Sequence, residues 1–262
     1  MSLRVLGCSG AIAAGFRTTS FLLDERVLMD AGTGVGDLTL EQLERIDQVL
    51  LTHSHLDHIL SLPLLADSVM RRRRAQGRPP IEVMALPQTV QALREHLFNN
   101  QIWPDFTRLP TPEAPVLCLR PIELGQRLTL CTGRGVEVLP AAHTVPGCGY
   151  ALRSLTHDHW LVFTGDTGPC PAFWERLHSL TVSHLIIEVA FGDDECWLAS
   201  VSGHHCPTTL TAELRHLRYW PEVWLTHMKP GEAPAVLAQL AAQPAVSSRP
   251  RVLEVGQTLH WD

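Results

Sequence analysis

The stretch THSHLDHI, Thr52 to Ile59, sets three histidines and an aspartate within six positions, directly after the apolar run Val49-Leu50-Leu51. That run reads as a buried strand, and Ile59, Leu62, Leu65 and Val69 beyond it recur at helical spacing. His53, His55, Asp57 and His58 therefore occupy a strand-to-helix turn that can present all four side chains from one rim. Imidazole nitrogen and carboxylate oxygen suit zinc and similar first-row metals. With His53 and His55 two apart and Asp57 and His58 adjacent, one compact turn can serve two neighbouring ions.

Three later places repeat the arrangement. His143 follows VEVLPAA, Asp166 follows WLVFTG, and His227 follows VWLT, each at the end of a strand-like run. A lone histidine at a strand end is more often a hydrogen-bonded structural residue, and an aspartate in a turn is common. Added to the first cluster, however, they bring the set to seven oxygen and nitrogen donors at strand ends. We expect two divalent metal ions, zinc by donor type, with manganese or iron able to take the same ligands.

The chain has 262 residues, 45% of them hydrophobic, enough to bury a sizeable core. A single domain over residues 1–262 is expected. The net charge of -6 gives no general attraction to nucleic acid, so no nucleic-acid partner is expected. No apolar run approaches the roughly 20 residues of a membrane helix, and no membrane association is expected. The start, MSLRVLGCSG, reads as a first strand rather than a secretion signal. Seven scattered cysteines without a C-x-x-C pair suggest neither a disulfide framework nor a zinc knuckle, and a reducing cytoplasm is the simplest location. The sequence leaves a homodimer open.

Short β-branched runs recur at Leu3 to Val5, Phe21 to Leu23, Val27 to Met29, Val49 to Leu51, Ile81 to Met84, Val136 to Leu139, Leu161 to Phe163, Leu185 to Ile187 and Val223 to Leu225. Helical patterns lie between some of them, at Leu38 to Ile46, Gln88 to Phe98, Thr208 to Leu217 and Ala233 to Gln243. The Pro-rich interval from Pro104 to Pro115 reads as an excursion within a domain.

The order H-x-H-x-D-H, His, Asp, His resembles the metallo-β-lactamase superfamily. The resemblance implies an α/β fold, a four-layer αβ/βα sandwich with two metals between its sheets. It also implies that His53, His55 and His143 hold one metal, that Asp57, His58 and His227 hold the other, and that Asp166 bridges them. Within the superfamily, THSHLDHI and LREHLFNNQIWPDFT (Leu93 to Thr107) look like segments of the class II cyclic-nucleotide phosphodiesterases. LDERVLMDAGTG, HTVPGCGY, FTGDTGPCPAFW, LIIEVAF and LTHMKP are similar to that family as well. The chain departs from it at Gly203 to Pro207, where GHHCP stands in place of G-H-L-T-P.

The expected reaction is hydrolysis of a small-molecule 3′,5′-cyclic nucleotide, cyclic AMP or cyclic GMP, to the 5′-monophosphate by a hydroxide activated between two metals. The leaving oxygen needs a proton. His204 is the candidate donor, oriented by Glu188, with His205 as competitor; the resemblance supports the Glu188/His204 pair. Asp57 can also accept a hydrogen bond from the nucleophile. Lys229 reads either as a phosphate-neutralising group or as a solvent-exposed turn residue. The alternatives are a tRNA 3′-end endoribonuclease, another hydrolase of the same fold and, from a different class, a non-catalytic nucleotide-binding module.

Several features read as decoys. THDHW, Thr156 to Trp160, contains an H-x-H but resembles a hairpin turn. Arg71 to Arg74 suit a helix C-terminus and a solvated face. Trp103 and Phe106 can pack beneath a loop as readily as they can stack on a base.

Overall fold

The computed structural model describes residues 2–243 and 250–262. In chain order the first half contributes β1 (Leu3–Gly7), β2 (Ser20–Leu23), β3 (Val27–Met29), β4 (Gln48–Leu50), β5 (Ile81–Ala85), the small hairpin β6 (Pro110–Thr111) and β7 (Ala114–Pro115), and β8 (Leu117–Pro121). The second half contributes β9 (Arg127–Thr129), β10 (Gly135–Pro140), β11 (Cys148–Arg153), β12 (Trp160–Phe163), β13 (Val182–Glu188), β14 (Glu222–Thr226), β15 (Arg251–Val252) and β16 (Thr258–Leu259). Two seven-stranded sheets result, ordered β16-β1-β2-β3-β4-β5-β8 and β15-β14-β13-β12-β11-β10-β9.

Alternation along the strands builds the layers. Phe21 and Leu23 of β2, and Val27 and Met29 of β3, pack between the sheets against Tyr150, Leu152 and Phe163. The Phe21 and Phe163 rings meet edge to face at 5.0 Å. Leu22 and Leu28 point the other way, toward Leu62, Leu65 and Val69 of α3 (Ser61–Ala75). The second sheet likewise sends Val162, Leu185 and Val223 outward onto α5 (Pro171–Leu177), α7 (Pro207–Leu214) and α8 (Ala233–Ala242). The expected αβ/βα sandwich is the fold observed.

The largely apolar strands β3, β4, β5, β12, β13 and β14 lie in the parallel parts of the two sheets, β3-β4-β5-β8 and β12-β13-β14-β15. Central parallel strands are covered on both faces, so both of their faces are apolar. Their carboxyl ends lead into Asp30 after β3, His53 shortly after β4, Asp166 shortly after β12 and His227 after β14, while β13 ends at Glu188.

Three readings are corrected. β8, β9, β11, β15 and β16 had no sequence signal of their own; β8, for example, alternates buried Leu117 and Leu119 with exposed polar positions. Arg73 does not lie on a solvated face. It is buried, and its guanidinium donates to the carbonyls of Glu44, Ile46 and Pro79, each at 2.8 Å. The cysteines are not all unpaired: Cys196 and Cys206 form a disulfide. Ten residues of separation gave no hint of it, because the turn between α6 (Cys196–Ser202) and α7 is what folds the two Cα atoms to 5.4 Å.

Candidate metal centre and proton donor

The turn after β4 enters the short α2 (Leu56–Ile59), whose first turn carries Asp57 and His58. Opposite it stand His143 beyond β10, Asp166 beyond β12 and His227 beyond β14. The structure brings all seven expected donors together as two sets. His53, His55 and His143 form one; Asp57, His58, Asp166 and His227 form the other, with donor atoms in each set within 4.8 Å of one another. Asp166 lies between them, its Oδ2 3.8 Å from His53 Nε2 and 3.2 Å from His58 Nε2, and its Oδ1 3.2 Å from His227 Nδ1.

These residues fit divalent cations on their own geometry. The Nε2 atom of His53 is buried without a hydrogen-bond partner among the described residues, a costly state for a polar atom unless a cation takes the lone pair. His143 donates from Nδ1 to the Gly203 carbonyl at 2.8 Å in the tautomer that leaves Nε2 unprotonated, and Nε2 lies 3.0 Å from His55 Nδ1. Burial, aided by the charge of His58, holds His53 well below the usual histidine range, and burial takes His227 down to about 4. Both therefore offer lone pairs at neutral pH. Burial would lower His58 too, but the charges of Asp166 and Asp30 outweigh it and hold its proton. A cation must displace that proton, so uptake should weaken as pH falls.

Asp30 was missed as a site residue. Fully buried at the left-handed φ of 57°, it accepts from His58 Nδ1 at 2.7 Å and from the Thr52 amide at 2.8 Å. Such a carboxylate fixes the imidazole's tautomer and ring plane. Its sequence signals are an aspartate directly after a strand, which reads equally as a turn, and its place in the LDERVLMDAGTG segment, which assigned it no role. Asp30→Ala is expected to weaken metal binding by about 10–100-fold, measured by competition with a chromophoric chelator. Wild-type affinity in that variant would show that His58 holds its orientation without Asp30.

His227 is set by backbone strain, with φ of 69°, and its amide donates to the Cys8 carbonyl at 2.7 Å. Gly10 in the first turn explains the close approach of that chain, since a Cβ there would fall 2.5 Å from the His227 carbonyl oxygen and 2.9 Å from its Nε2.

Beside the two sets, His204 Nδ1 meets Glu188 Oε1 at 2.7 Å. Burial opposes the His204 charge, but the hydrogen bond and charge of Glu188 outweigh it, so the His204 pKa is raised. Burial pushes the Glu188 carboxyl up to about 7 despite its bond to His204, and we place the shared proton on His204. His205 stands in a different environment. It is buried, its Nδ1 pairs with Thr209 Oγ1 at 3.2 Å, and burial takes its pKa down to about 4.

His204, His55, Asp57 and His227 line an open cleft of about 490 Å³, which Lys229 also borders. The Lys229 Nζ lies 5.0 Å over the Phe191 ring, so a cation–π contact steadies it at the rim. The other sequence features lie elsewhere. His157 and His159 stack on each other in the β11–β12 turn and belong to no donor set among the described residues. Phe106 is buried and Trp103 packs against the first sheet's helical side, while Asn99 and Asn100 accept from backbone amides of their own loop.

A sequence model described as the beta-lactamase superfamily domain matches residues 25–247. The chain belongs to that superfamily. Membership implies divalent metal ions, for which the two donor sets are the candidates. Within the superfamily the chain is similar to 3′,5′-cyclic-nucleotide phosphodiesterase 1 of Saccharomyces cerevisiae, 33% identical over 39% of this chain and 26% of that protein. To a 3′,5′-cyclic-nucleotide phosphodiesterase of Schizosaccharomyces pombe it is 25% identical, over 65% of this chain and 51% of the other. The chain thus spans from a quarter to about half the length of these two curated relatives. It is 28% identical to ribonuclease Z of Pyrobaculum calidifontis over 78% of each protein. The crystal structure of unliganded yeast PDE1 shares the fold, with a TM-score of 0.81, 17% identity and 99% of each chain covered.

Proposed function

We propose that the protein is a dinuclear-metal phosphodiesterase that hydrolyses 3′,5′-cyclic nucleotides to nucleoside 5′-monophosphates, within one catalytic domain spanning residues 1–262. The observation that carries this reading is the His204–Glu188 pair on the wall of the cleft that the two donor sets share. Thioester hydrolysis has little need of a separate acid, because a thiolate leaves unaided, whereas an alkoxide leaving group requires one.

His53, His55 and His143 would hold one ion, Asp57, His58 and His227 the other, and Asp166 both. Zinc is favoured by the His/Asp donors, with manganese or iron as substitutes. Bound there, the pair of ions would lower the pKa of the attacking water and neutralise the phosphate oxygens. The chain's own residues do the rest. Asp57, its carboxyl held below the usual range by the His58 contact despite burial, is ionised and can accept a hydrogen bond from the nucleophile. Lys229 at the rim adds positive charge near the phosphate. As the new oxygen–phosphorus bond forms and the bond from phosphorus to the 3′-oxygen breaks, His204 passes its Nε2 proton to that oxygen while Glu188 steadies the ring through Nδ1.

Two observations favour a small substrate over tRNA. The interval between Asp166 and Glu188 folds into α5 packed on its sheet, without the protruding basic arm that gripping tRNA calls for. Ile12, Leu56 and Leu60 give the cleft an apolar side suited to a nucleobase. The test is a side-by-side assay of cyclic AMP, cyclic GMP, cyclic dinucleotides and a tRNA precursor, with metal content quantified and products separated by chromatography. The expected product is the 5′-monophosphate. A 3′-monophosphate, or activity confined to tRNA precursors, would overturn the proposal.

A further inference from the structure

We propose that Cys196 and Cys206 form a reversible redox site that fixes the position of the His204 proton donor; the inference rests on reading His204 as that donor. The two cysteines bracket the donor segment. Cys196 opens α6, and Cys206 immediately precedes α7, so their sulfur–sulfur bond closes a loop that contains α6 and the Gly203-His204-His205 turn.

Within that loop α6 itself is held by little else. Among the residues of α6 only Ala199 is buried, while Trp197 and Val201 are 69% and 66% exposed. A helix that buries so little apolar surface has low local stability of its own. Beyond it the chain makes directional contacts with the site. Gly203 turns at φ of 67°, and its carbonyl accepts from His143. The His204 amide donates to Ala199 at 2.9 Å, and the His205 amide faces Glu188 Oε2 at 3.4 Å. The bond to Ala199 couples the placement of His204 to α6, alongside its bond to Glu188, and the disulfide ties the start of α6 to the buried Cys206.

Cys196 is only partly buried, which gives a reductant an entry that Cys206 lacks. In a reducing compartment disulfides are typically transient and redox-sensing. Oxidation removes two protons and two electrons from the thiols to a disulfide oxidant such as oxidised glutathione, which leaves as two glutathione thiols. Reduction by a phosphine returns both thiols, with water supplying the protons and the oxygen of the phosphine oxide.

The experiment compares metal-loaded protein treated with oxidised glutathione or with tris(2-carboxyethyl)phosphine, intact mass reporting the two added hydrogens. On reduction, kcat for cyclic AMP is expected to fall about tenfold, as for a displaced catalytic group. The rate with a 4-nitrophenyl phosphodiester, whose leaving group scarcely needs a proton, should hold. Reoxidation should restore the loss, and Cys196→Ser should sit at the reduced level in either condition. Equal loss on both substrates, or a redox response that survives in Cys196→Ser, overturns the proposal. Amide exchange supplies a readout independent of substrate: residues 197–206 should exchange faster after reduction, and unchanged exchange sinks the redox site even if the protein hydrolyses no cyclic nucleotide. Failure of the oxidised wild type on every cyclic nucleotide, with exchange responding as expected, would overturn the donor role and leave the redox-controlled segment standing.

Discussion

Replacing Asp166 by alanine should remove nearly all turnover and at least one metal ion per chain. Its two oxygens face His53, His58 and His227 at 3.2 to 3.8 Å, so among the described residues it is the carboxylate adjoining both donor sets. Burial raises the cost of its charge, yet the surrounding histidines hold its carboxyl well below the usual range. Without it two cations would approach each other with no anionic group between them, and the loss in kcat should exceed about a thousandfold. Emission spectrometry of the purified variant supplies the metal count. Full occupancy with full activity would dismiss the bridging role, while full occupancy with lost activity would recast Asp166 as a group that orients rather than retains the ions.

The second large effect is expected at His204. His204→Ala should slow hydrolysis of cyclic AMP by about 10²–10⁴-fold, the contribution of a positioned general acid. A 4-nitrophenyl ester should lose much less, because nitrophenolate departs without a proton. The pH profile supplies a second readout. Since Glu188 raises the His204 pKa, the donor form is present below that value and is lost as pH rises through it. Wild-type kcat for cyclic AMP should therefore decline on the alkaline side of the ordinary histidine value of about 6.5, and the variant should lack that limb. An equal loss on both substrates would assign His204 to binding or structure.

Much of the site was legible because its donors follow strands whose apolar character is forced by burial on both faces. The seven donors, Glu188 and His204 could be named from strand ends and motif order, and the structure brings them together. Asp30 could not, because its partner His58 lies 28 residues away and an aspartate after Val27-Leu28-Met29 reads equally as a turn. Telling His204 from His205 also needed coordinates, since the adjacent imidazoles point to different partners, His204 to Glu188 and His205 to Thr209. Local pattern was equally blind to Cys196–Cys206 and to Arg73, whose buried guanidinium is satisfied by carbonyls rather than by a motif. β11 escaped notice because its partners, not its composition, make it a central strand.

The donors are divided between the sheets: His53, His55, Asp57 and His58 follow a strand of the first, while His143, Asp166 and His227 follow strands of the second. Neither half of the sandwich owns a complete coordination set. Metal content consequently reports alignment across the interior, and a substitution at the Phe21–Phe163 contact that lets one sheet slip on the other could empty the centre while each sheet keeps its own hydrogen bonds. Loss of metal from a variant that is still folded by circular dichroism would then locate a packing fault, not a missing ligand.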